Sequence, residues 1–238
     1  MMAFKRVLLK LSGETIGGAD GKGIDEAVLS QFAAQIAKAA KTGVQVAVVI
    51  GGGNIFRGLS GTKLGFDRVK GDQMGMLATV INCIALSLAI KKEGVKAEVF
   101  TATPIEPFAN YYMRDKVLSF LEEGGVALLA GGTGNPFFTT DSGAALRACE
   151  LGTDALLKGT KVDGVYDCDP VNNPKAVKYD IISFDRVLAD DLKVMDSTAF
   201  ALCRDNNMPI IVFNINERDS FFRLISGEKL GTLVSNQL

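Results

Sequence analysis

The sequence predicts an α/β fold, specifically a three-layer αβα sandwich around a mostly parallel, open sheet. Strand and helix patterns alternate along the 238 residues, an order that is typical of parallel sheets with helices on both faces. Two predicted strands, over residues 44–50 and 126–130, are apolar runs interrupted only by Gln45, which indicates strands covered on both faces. Without repeats, low-complexity segments or long polar linkers, the chain is predicted to form a single domain over residues 1–238.

Local patterns predict the individual elements. Asp25 is a good N-cap, and apolar residues follow it at helical spacing until Gly43 ends the helix. Further helices are predicted over residues 72–92, 111–123, 142–151, 197–207 and 221–225. Strands are predicted over residues 7–11, 44–50, 96–101, 126–130, 155–158 and 209–213. Residues 163–180 are rich in Asp, Asn, Pro and Gly, and this composition predicts mostly loop.

The composition excludes several classes of function. Hydrophobic residues make up 47% of the chain and charged residues 22%, which is ordinary for a globular protein. The formal net charge of -1 provides no general attraction to nucleic acid or to an anionic membrane. The chain has no histidine, so a Ser-His-Asp triad, a Cys-His pair and every His-ligated metal site are excluded. Its chemistry must use other side chains and backbone amides.

We predict a cytoplasmic protein that does not span a membrane. The first ten residues carry charges where a signal peptide needs an apolar core. The apolar stretch from Met74 to Ile90 is interrupted by polar residues and is short for a span, so we interpret it as a buried helix, with packing against a partner subunit left open. No two cysteines have zinc or redox spacing, and we interpret all of them as thiols in a reducing compartment: Cys83, Cys149, Cys168 and Cys203.

Three glycine-rich segments, each following an apolar strand, are candidates for anion binding. They are Lys10-Leu11-Ser12-Gly13-Glu14, Gly51-Gly52-Gly53-Asn54 and Gly131-Gly132-Thr133-Gly134-Asn135. Glycine lets backbone amides approach a phosphate closely, although a single segment is equally consistent with an ordinary turn. None matches the P-loop or the dinucleotide fingerprint. In a parallel sheet the three segments are expected to meet at one edge.

Charged residues near these segments complete the predicted site. Lys10, Arg57 and Lys158 can together neutralise a phosphoryl group in transfer, although each alone is consistent with a solvated surface charge. Asp72 and Asp141 are the acidic candidates, and helix capping is the alternative interpretation for both. A carboxylate beside two lysines can hold them in place, and one that faces a sugar can accept hydrogen bonds from its hydroxyls.

These segments resemble the amino acid kinase superfamily. The resemblance rests on Lys10 to Glu14, on Gly51 to Asn54 followed by Arg57-Gly58, and on Lys158 to Tyr166 followed by Asp169-Pro170. The block from Gly131 to Asp141 is similar to bacterial uridylate kinases in particular. This resemblance covers essentially the whole chain. It implies transfer of the γ-phosphoryl group of ATP to UMP in pyrimidine nucleotide biosynthesis, assisted by Mg²⁺ that is held mainly by the phosphates, with no metal ligands from the protein.

The resemblance also implies roles for individual residues. Lys10, Arg57, Asp141 and Lys158 would be catalytic. UMP would be bound by Gly52, Asp72, Thr133, Gly134, Asn135, Pro136, Phe137, Phe138, Thr139 and Thr140. ATP would be bound by Lys10, Leu11, Ser12, Gly13, Gly53, Arg57, Thr160, Tyr166 and Asp169. The acceptor lobe would span about residues 1–150 and the ATP lobe about residues 151–238.

Assembly and regulation follow from the same resemblance. It implies a homohexamer built from dimers, inhibition by UTP and activation by GTP. An activation region would lie at Gly18, Ala19, Asp20, Gly21, Lys22 and Gly23, and a plain flexible loop is the alternative for this segment. Alternative functions are a kinase for carbamate, acetylglutamate or isopentenyl phosphate, and a non-catalytic nucleotide-binding storage or regulatory module. A nicotinamide-dependent dehydrogenase is a third alternative, and it lacks its sequence fingerprint.

Overall fold

A computed structural model describes residues 3–56, 65–170, 172–173 and 175–236. The strands are β1 Arg6–Leu11, β2 Gln45–Ile50, β3 Ala97–Thr101, β4 Asn110–Tyr111, β5 Val126–Ala130, β6 Ala155–Thr160, β7 Val165–Tyr166, β8 Lys178–Tyr179, β9 Ile181–Ser183, β10 Ile210–Asn214 and β11 Thr232–Ser235. The helices are α1 Gly13–Ile16, α2 Glu26–Ala40, α3 Arg68–Lys92, α4 Arg114–Glu122, α5 Thr140–Leu151, α6 Phe184–Ala189, α7 Ser197–Asp205 and α8 Ser220–Ile225. The elements therefore alternate as predicted.

Nine strands form one open sheet in the order β4-β3-β5-β2-β1-β6-β10-β11-β9. Every neighbouring pair is parallel except β10 and β11, which are antiparallel. The three strands followed by glycine-rich segments, β1, β2 and β5, are neighbours, so the predicted meeting of these segments at one edge is confirmed. The sheet is continuous from β1 to β6, across the boundary between the two predicted lobes.

Helices cover both faces of the sheet, which confirms the predicted three-layer sandwich. On one face, the apolar sides of α2, α3 and α8 pack against alternate residues of the central strands, such as Val7, Leu9 and Leu11 of β1. On the other face, α4 to α7 pack against the intervening residues, such as Leu8. Because successive side chains of a strand point to opposite faces and both faces are covered, the central strands are mostly apolar, and Lys10 of β1 and Lys158 of β6 lie near the strand ends.

The structure corrects several details of the predicted elements. Residues 163–180 include a short hairpin of β7 and β8, in which Val165 pairs with Tyr179, although their composition predicts mostly loop. Helix α3 begins at Arg68 with Asp67 as its N-cap, so the capping interpretation of Asp72 is wrong. The helix predicted from Tyr111 begins at Arg114, because Asn110 and Tyr111 form β4. In addition, α1, β9, α6 and β11 were not predicted from the sequence, because all are short.

Helix α3 is the one helix of the described residues that is long and apolar enough to cross a membrane by length and composition. A core helix of a globular protein passes the same test, and α3 packs against the sheet through buried Val80, Cys83, Leu86 and Ile90. The predicted interpretation of this stretch as a buried helix is therefore confirmed for the face of α3 that meets the sheet.

Two glycines with nearly equal φ angles provide a matched test of packing at Gly231, directly before β11. Gly231 has φ +77°, and a Cβ atom there would lie 2.1 Å from the carbonyl oxygen of Val212. Gly94 has φ +78°, and a Cβ atom there would meet no atom within 4 Å. We expect Gly94→Ala to lower the free energy of unfolding by about 1 kcal/mol through backbone strain alone. We expect Gly231→Ala to lower it by at least about 2 kcal/mol more, because the clash adds to the strain. Urea unfolding of both variants measures the difference, and equal losses would contradict the close packing of Gly231 against β10.

Candidate active site

Two lysines lie side by side on neighbouring strands because of the strand register. Lys10 of β1 pairs directly with Lys158 of β6 in the sheet, so both side chains leave the same face near the carboxyl ends of their strands. Asp141, in the first turn of α5, lies between them. Its Oδ1 atom is 2.5 Å from Lys10 Nζ, and its Oδ2 atom is 2.8 Å from Lys158 Nζ. The sequence prediction that these three residues meet is therefore correct in its geometry.

Asp141 is held in place by the start of α5. Thr139 is the N-cap of this helix, and its hydroxyl accepts hydrogen bonds from the amides of Asp141 and Ser142. The capping interpretation of Asp141 is consequently wrong, because Thr139 performs that role and leaves the Asp141 carboxylate free for the lysines. Burial by itself opposes ionisation of this carboxyl, but the ammonium groups of Lys10 and Lys158 outweigh it, so the pKa of Asp141 is lowered.

Lys158 is nearly enclosed, with its side chain only 15% exposed. Its ammonium donates hydrogen bonds to Asp141 and, at 2.5 Å, to the carbonyl oxygen of Val194. Burial lowers the pKa of Lys158, and the attraction of Asp141 offsets this only partly. Two ammonium groups share one carboxylate, so the cluster keeps a net positive charge. Such a charge at the rim of a cavity is suited to bind a phosphate.

The first two glycine-rich segments form the wall beside this cluster. The amide of Gly51 donates a hydrogen bond of 2.9 Å to the carbonyl oxygen of Leu11, which joins the end of β1 to the end of β2. A cavity of about 250 Å³ opens here and is lined by Lys10, Ser12, Gly13, Glu14, Gly51, Gly52, Gly53, Thr139, Thr140, Asp141 and Asp196. Its glycine backbone, hydroxyls and Lys10 are suited to an anion, and of its three acidic residues Asp141 is paired with Lys10 and Lys158 and Asp196 accepts from Thr139.

A second cavity of about 350 Å³ adjoins the first and shares Gly52, Gly53, Thr139 and Thr140 with it. Its remaining lining residues are Phe56, Arg68, Asp72, Gly75, Met76, Thr79, Gly132, Thr133, Asn135 and Phe138. Asp72 is fixed at its wall, because it accepts hydrogen bonds from Arg68 Nε at 2.9 Å and from the amide of Phe137 at 2.9 Å. The shape and lining are suited to a small planar group with polar substituents.

A third cavity, of about 630 Å³, lies on the other side of Lys158. It is lined by Lys158, Thr160, Val162, Gly164, Val165, Tyr166, Asp167, Cys168, Asp169, Pro170, Asp190, Asp191, Leu192, Lys193, Val194 and Val212. The hydroxyl of Tyr166 donates to Asp163 Oδ1 at 2.5 Å, which holds the ring at the cavity wall. The cluster of Lys10, Asp141 and Lys158 thus lies between this largest cavity, which Lys158 lines, and the central cavity, which Lys10 and Asp141 line.

Most of the predicted binding residues line these cavities, and a few do not. Ser12, Gly13 and Gly53 line the central cavity, and Thr160, Tyr166 and Asp169 line the largest one. The smaller cavity is lined by Gly52, Asp72, Thr133, Asn135, Phe138, Thr139 and Thr140. Four predicted residues line none of the three cavities: Leu11, whose side chain is fully buried in the core, and Gly134, Pro136 and Phe137. Arg57 lies outside the described residues, so its predicted role stays a prediction.

The segment from Gly18 to Gly23 is attached to the second glycine-rich segment. The amide of Gly23 donates to the carbonyl oxygen of Asn54 at 3.0 Å, and the side chain of Asn54 donates back to the carbonyl oxygen of Gly23 at 2.6 Å. The predicted activation region is therefore in contact with the wall of the central cavity. Its predicted response to GTP stays a prediction.

Several residues of the site were not identified from the sequence. The carboxylate of Asp196 caps α7 and accepts hydrogen bonds from the hydroxyls of Thr139 and Ser142, which joins α7 to the start of α5. The only sequence signal for Asp196 was its position before a helix, which indicates an N-cap and nothing more. Arg68 and Val194 had no signal, because one acts by pairing with Asp72 and the other through its backbone.

Comparisons with known proteins agree with this arrangement. The model of the "Amino acid kinase family" matches residues 5–214 of this chain. Uridylate kinase of Parabacteroides distasonis is 53% identical over 236 residues, which cover 99% of this chain and 100% of the relative. Uridylate kinase of Porphyromonas gingivalis is 54% identical over 236 residues, which cover 99% of both chains.

Solved structures give the same result. The crystal structure of UMP kinase from Bacillus anthracis has a TM-score of 0.95 at 36% identity and covers 99% of this chain and 97% of its own. UMP kinase from Ureaplasma parvum has a TM-score of 0.92 at 39% identity and covers 98% of this chain and 100% of its own. Because these relatives match nearly the whole chain, the chain belongs to the amino acid kinase family and, within it, to the uridylate kinases.

Proposed function

We propose that this protein transfers the γ-phosphoryl group of ATP to UMP and releases ADP and UDP. The observation that carries this proposal is the position of the cluster of Lys10, Asp141 and Lys158. Lys158 lines the largest cavity, and Lys10 and Asp141 line the central cavity, which adjoins the smaller one. The larger cavity would take ATP, and the smaller one, with Asp72 and Thr133 at its wall, would take UMP. Membership of the uridylate kinases supports the choice of UMP among possible acceptors. The product would serve pyrimidine nucleotide biosynthesis in the cytoplasm.

The proposed reaction depends on positioning and charge, and it needs no protein acid or base. A phosphate oxygen of UMP attacks the γ-phosphorus of ATP, and the bond from that phosphorus to the β–γ bridging oxygen breaks. Lys10 and Lys158 stabilise the negative charge on the transferring group and on the departing ADP. Asp141 keeps both ammonium groups 2.5–2.8 Å from its carboxylate, so they are in place before the nucleotides bind. The amides of Gly52 and Gly53 would hold acceptor and donor phosphates.

Mg²⁺ would bind at this site as a complex with the nucleotide. The described residues contain no group of three or more His, Cys, Asp or Glu side chains that could hold a metal, and both oxygens of Asp141 face ammonium groups. The hydroxyls and amides of the central cavity suit phosphate oxygens, so the nucleotide phosphates would supply the metal's ligands. When bound with ATP, Mg²⁺ would neutralise charge on the β- and γ-phosphates.

Copies of this chain would assemble through the outer face of α3. Met74, Leu77, Ile81 and Leu88 form an apolar stripe along this face, and their side chains are 41–56% exposed. Exposed apolar stripes of this kind mark contact surfaces, and a two-fold axis would place each stripe against its copy. We propose a dimer of this type as the unit of a homohexamer that UTP inhibits and GTP activates. The acceptor lobe would contribute this surface, and the ATP lobe would remain peripheral.

Substitution of the shared carboxylate tests the catalytic assignment. We expect Asp141→Asn and Lys158→Ala to lower kcat by at least about 100-fold, because each removes a charge that organises the transferring phosphoryl group. Asp115→Asn is the matched control, since Asp115 also lies in the first turn of a helix but is exposed. Steady-state kinetics on purified, folded variants measure the effect. Rates of both site variants within a few-fold of Asp115→Asn would refute the assignment.

The lowered pKa of Lys158 predicts a pH dependence. As the pH rises through this pKa, which lies below the ordinary lysine value of 10.5, the ammonium loses its charge and kcat/KM falls. Lys158→Arg keeps its charge at high pH, so we expect the alkaline inflection to move to higher pH even though the rate is lower. The measurement is a profile of kcat/KM against pH for both enzymes. An unchanged inflection would assign the titration to another group.

The identity of the acceptor is tested by measuring ADP release from ATP in the presence of each candidate acceptor in turn. We expect turnover with UMP and at least about tenfold lower kcat/KM with CMP and dUMP, because the smaller cavity presents fixed polar groups to the base and ribose. Carbamate, acetylglutamate and isopentenyl phosphate are expected to be inactive. Adding UTP or GTP to the UMP reaction tests the two proposed effectors. Turnover of one of the small acceptors in place of UMP would overturn the proposal, and nucleotide binding without turnover would favour the storage alternative.

A further inference from the structure

Helix α3 contacts two of the three glycine-rich segments with the face opposite its exposed apolar stripe. A Cβ atom at Gly52 would lie 2.7 Å from the carbonyl oxygen of Gly75 and 2.8 Å from the Cβ atom of Ala78. The backbone of the second segment therefore rests directly on the helix. Because only glycine fits at this contact, the position of α3 determines the position of the amides at the central cavity.

One hydroxyl on this face fixes the start of the third segment. Thr79 is buried, and its Oγ1 atom accepts a hydrogen bond of 2.8 Å from the amide of Gly131. The same hydroxyl donates to the carbonyl oxygen of Met76 at 2.6 Å, so its proton is directed away from Gly131 and its lone pair is directed toward it. Gly131 follows β5 and begins the segment that ends at Thr139 and Asp141. The carbonyl oxygen of Gly131 in turn accepts from the amide of Gly134 at 2.9 Å.

One amide, three residues further along α3, fixes the second segment. Asn82 is fully buried, and its Nδ2 atom donates to the carbonyl oxygen of Gly51 and to Asn54 Oδ1, each at 2.7 Å. Asn54 Nδ2 donates in return to Asn82 Oδ1 at 3.1 Å and to Gly23 at 2.6 Å. Side chains three or four residues apart lie on the same face of a helix. Thr79 and Asn82 are three residues apart, so they form hydrogen bonds to two loops from one face of α3.

We propose that Thr79 and Asn82 are positioning residues for phosphoryl transfer, Thr79 for the loop that binds the acceptor and Asn82 for the loop that binds the phosphates. This inference rests on the proposed function of the site. Loss of the Thr79 hydroxyl leaves the amide of Gly131 without its acceptor beside the smaller cavity, which Thr79 and Gly132 line. The loop therefore shifts toward that cavity to satisfy the amide, and the fold around β5 stays intact.

Thr79→Val tests the proposed role of Thr79 in positioning the acceptor loop, because valine has the shape of threonine without its hydroxyl. We expect KM for UMP to rise on the order of tenfold, with KM for ATP within about twofold of wild type. Thr79→Ser keeps the hydroxyl and is expected to restore KM for UMP. Ser87→Ala is the matched control, since Ser87 is buried in the same helix and its hydroxyl donates to the carbonyl oxygen of Ile84 in the same way, but it has no hydrogen bond to a loop in the described part of the chain.

Two further measurements separate positioning from general destabilisation. Equilibrium binding of UMP in the absence of ATP is expected to weaken in Thr79→Val by the same factor as KM and to be unchanged in Ser87→Ala. Asn82→Ala is expected to lower kcat on the order of tenfold while UMP binding changes less than in Thr79→Val. If Asn82→Ala proves insoluble, Asn54→Ala removes the same hydrogen-bonded pair from the loop side, and the same fall in kcat is expected.

The outcomes distinguish failure of this inference from failure of the proposed function. Thr79→Val with kinetics equal to those of Ser87→Ala, or a Thr79→Ser variant as impaired as Thr79→Val, would overturn the positioning role while UMP kinase activity of the wild type stands. An equal rise in KM for ATP and UMP in Thr79→Val would also overturn it, because the effect would then be general. A wild-type protein without UMP kinase activity would refute the proposed function itself.

Discussion

The ionic cluster of Asp141 with Lys10 and Lys158 is the interaction on which the rest of the site depends. Two ammonium groups on neighbouring strands, directly opposite each other, repel one another in a partly buried place. Without a carboxylate between them, both charges would be costly to bury. Helix α5 supplies that carboxylate from its first turn, and Thr139 fixes where the turn begins. The strand register, the helix cap and the ion pairs therefore act together to fix the positions of Lys10, Lys158 and Asp141.

The same constraint explains how a protein without histidine can catalyse a reaction. Phosphoryl transfer needs charges held at fixed positions more than it needs proton transfer. Lysine ammoniums, glycine amides and hydroxyls are sufficient for that purpose, provided that the scaffold is rigid. The continuous sheet from β5 through β2 and β1 to β6 provides this rigidity, because each of these strands is buried on both faces.

Helix α3 is a two-sided element in this architecture. Its inner face holds the second and third glycine-rich segments through Gly75, Thr79 and Asn82. Its outer face carries the apolar stripe of Met74, Leu77, Ile81 and Leu88. Both faces belong to one helix of 25 residues, so the proposed contact surface and the loop contacts lie on the same element. Assembly through α3 and the geometry of the cavities would consequently be linked, with Asn54 extending the link to Gly23.

The sequence by itself determined the fold class and the identity of the main charged residues. Apolar runs that end in glycine indicate buried parallel strands with ligand-facing ends, so Lys10, Lys158 and the glycine-rich segments were candidates from local pattern, and the family resemblance implied their roles. The tertiary structure decided which residues pair: that Asp141 serves two lysines and caps no helix, that Asp72 is held by Arg68 and Phe137, and that Thr79, Asn82 and Asp196 hold the loops. These contacts join residues that are far apart in the chain. They form only when α3, α5 and α7 pack against the sheet, and local periodicity therefore contains no information about them.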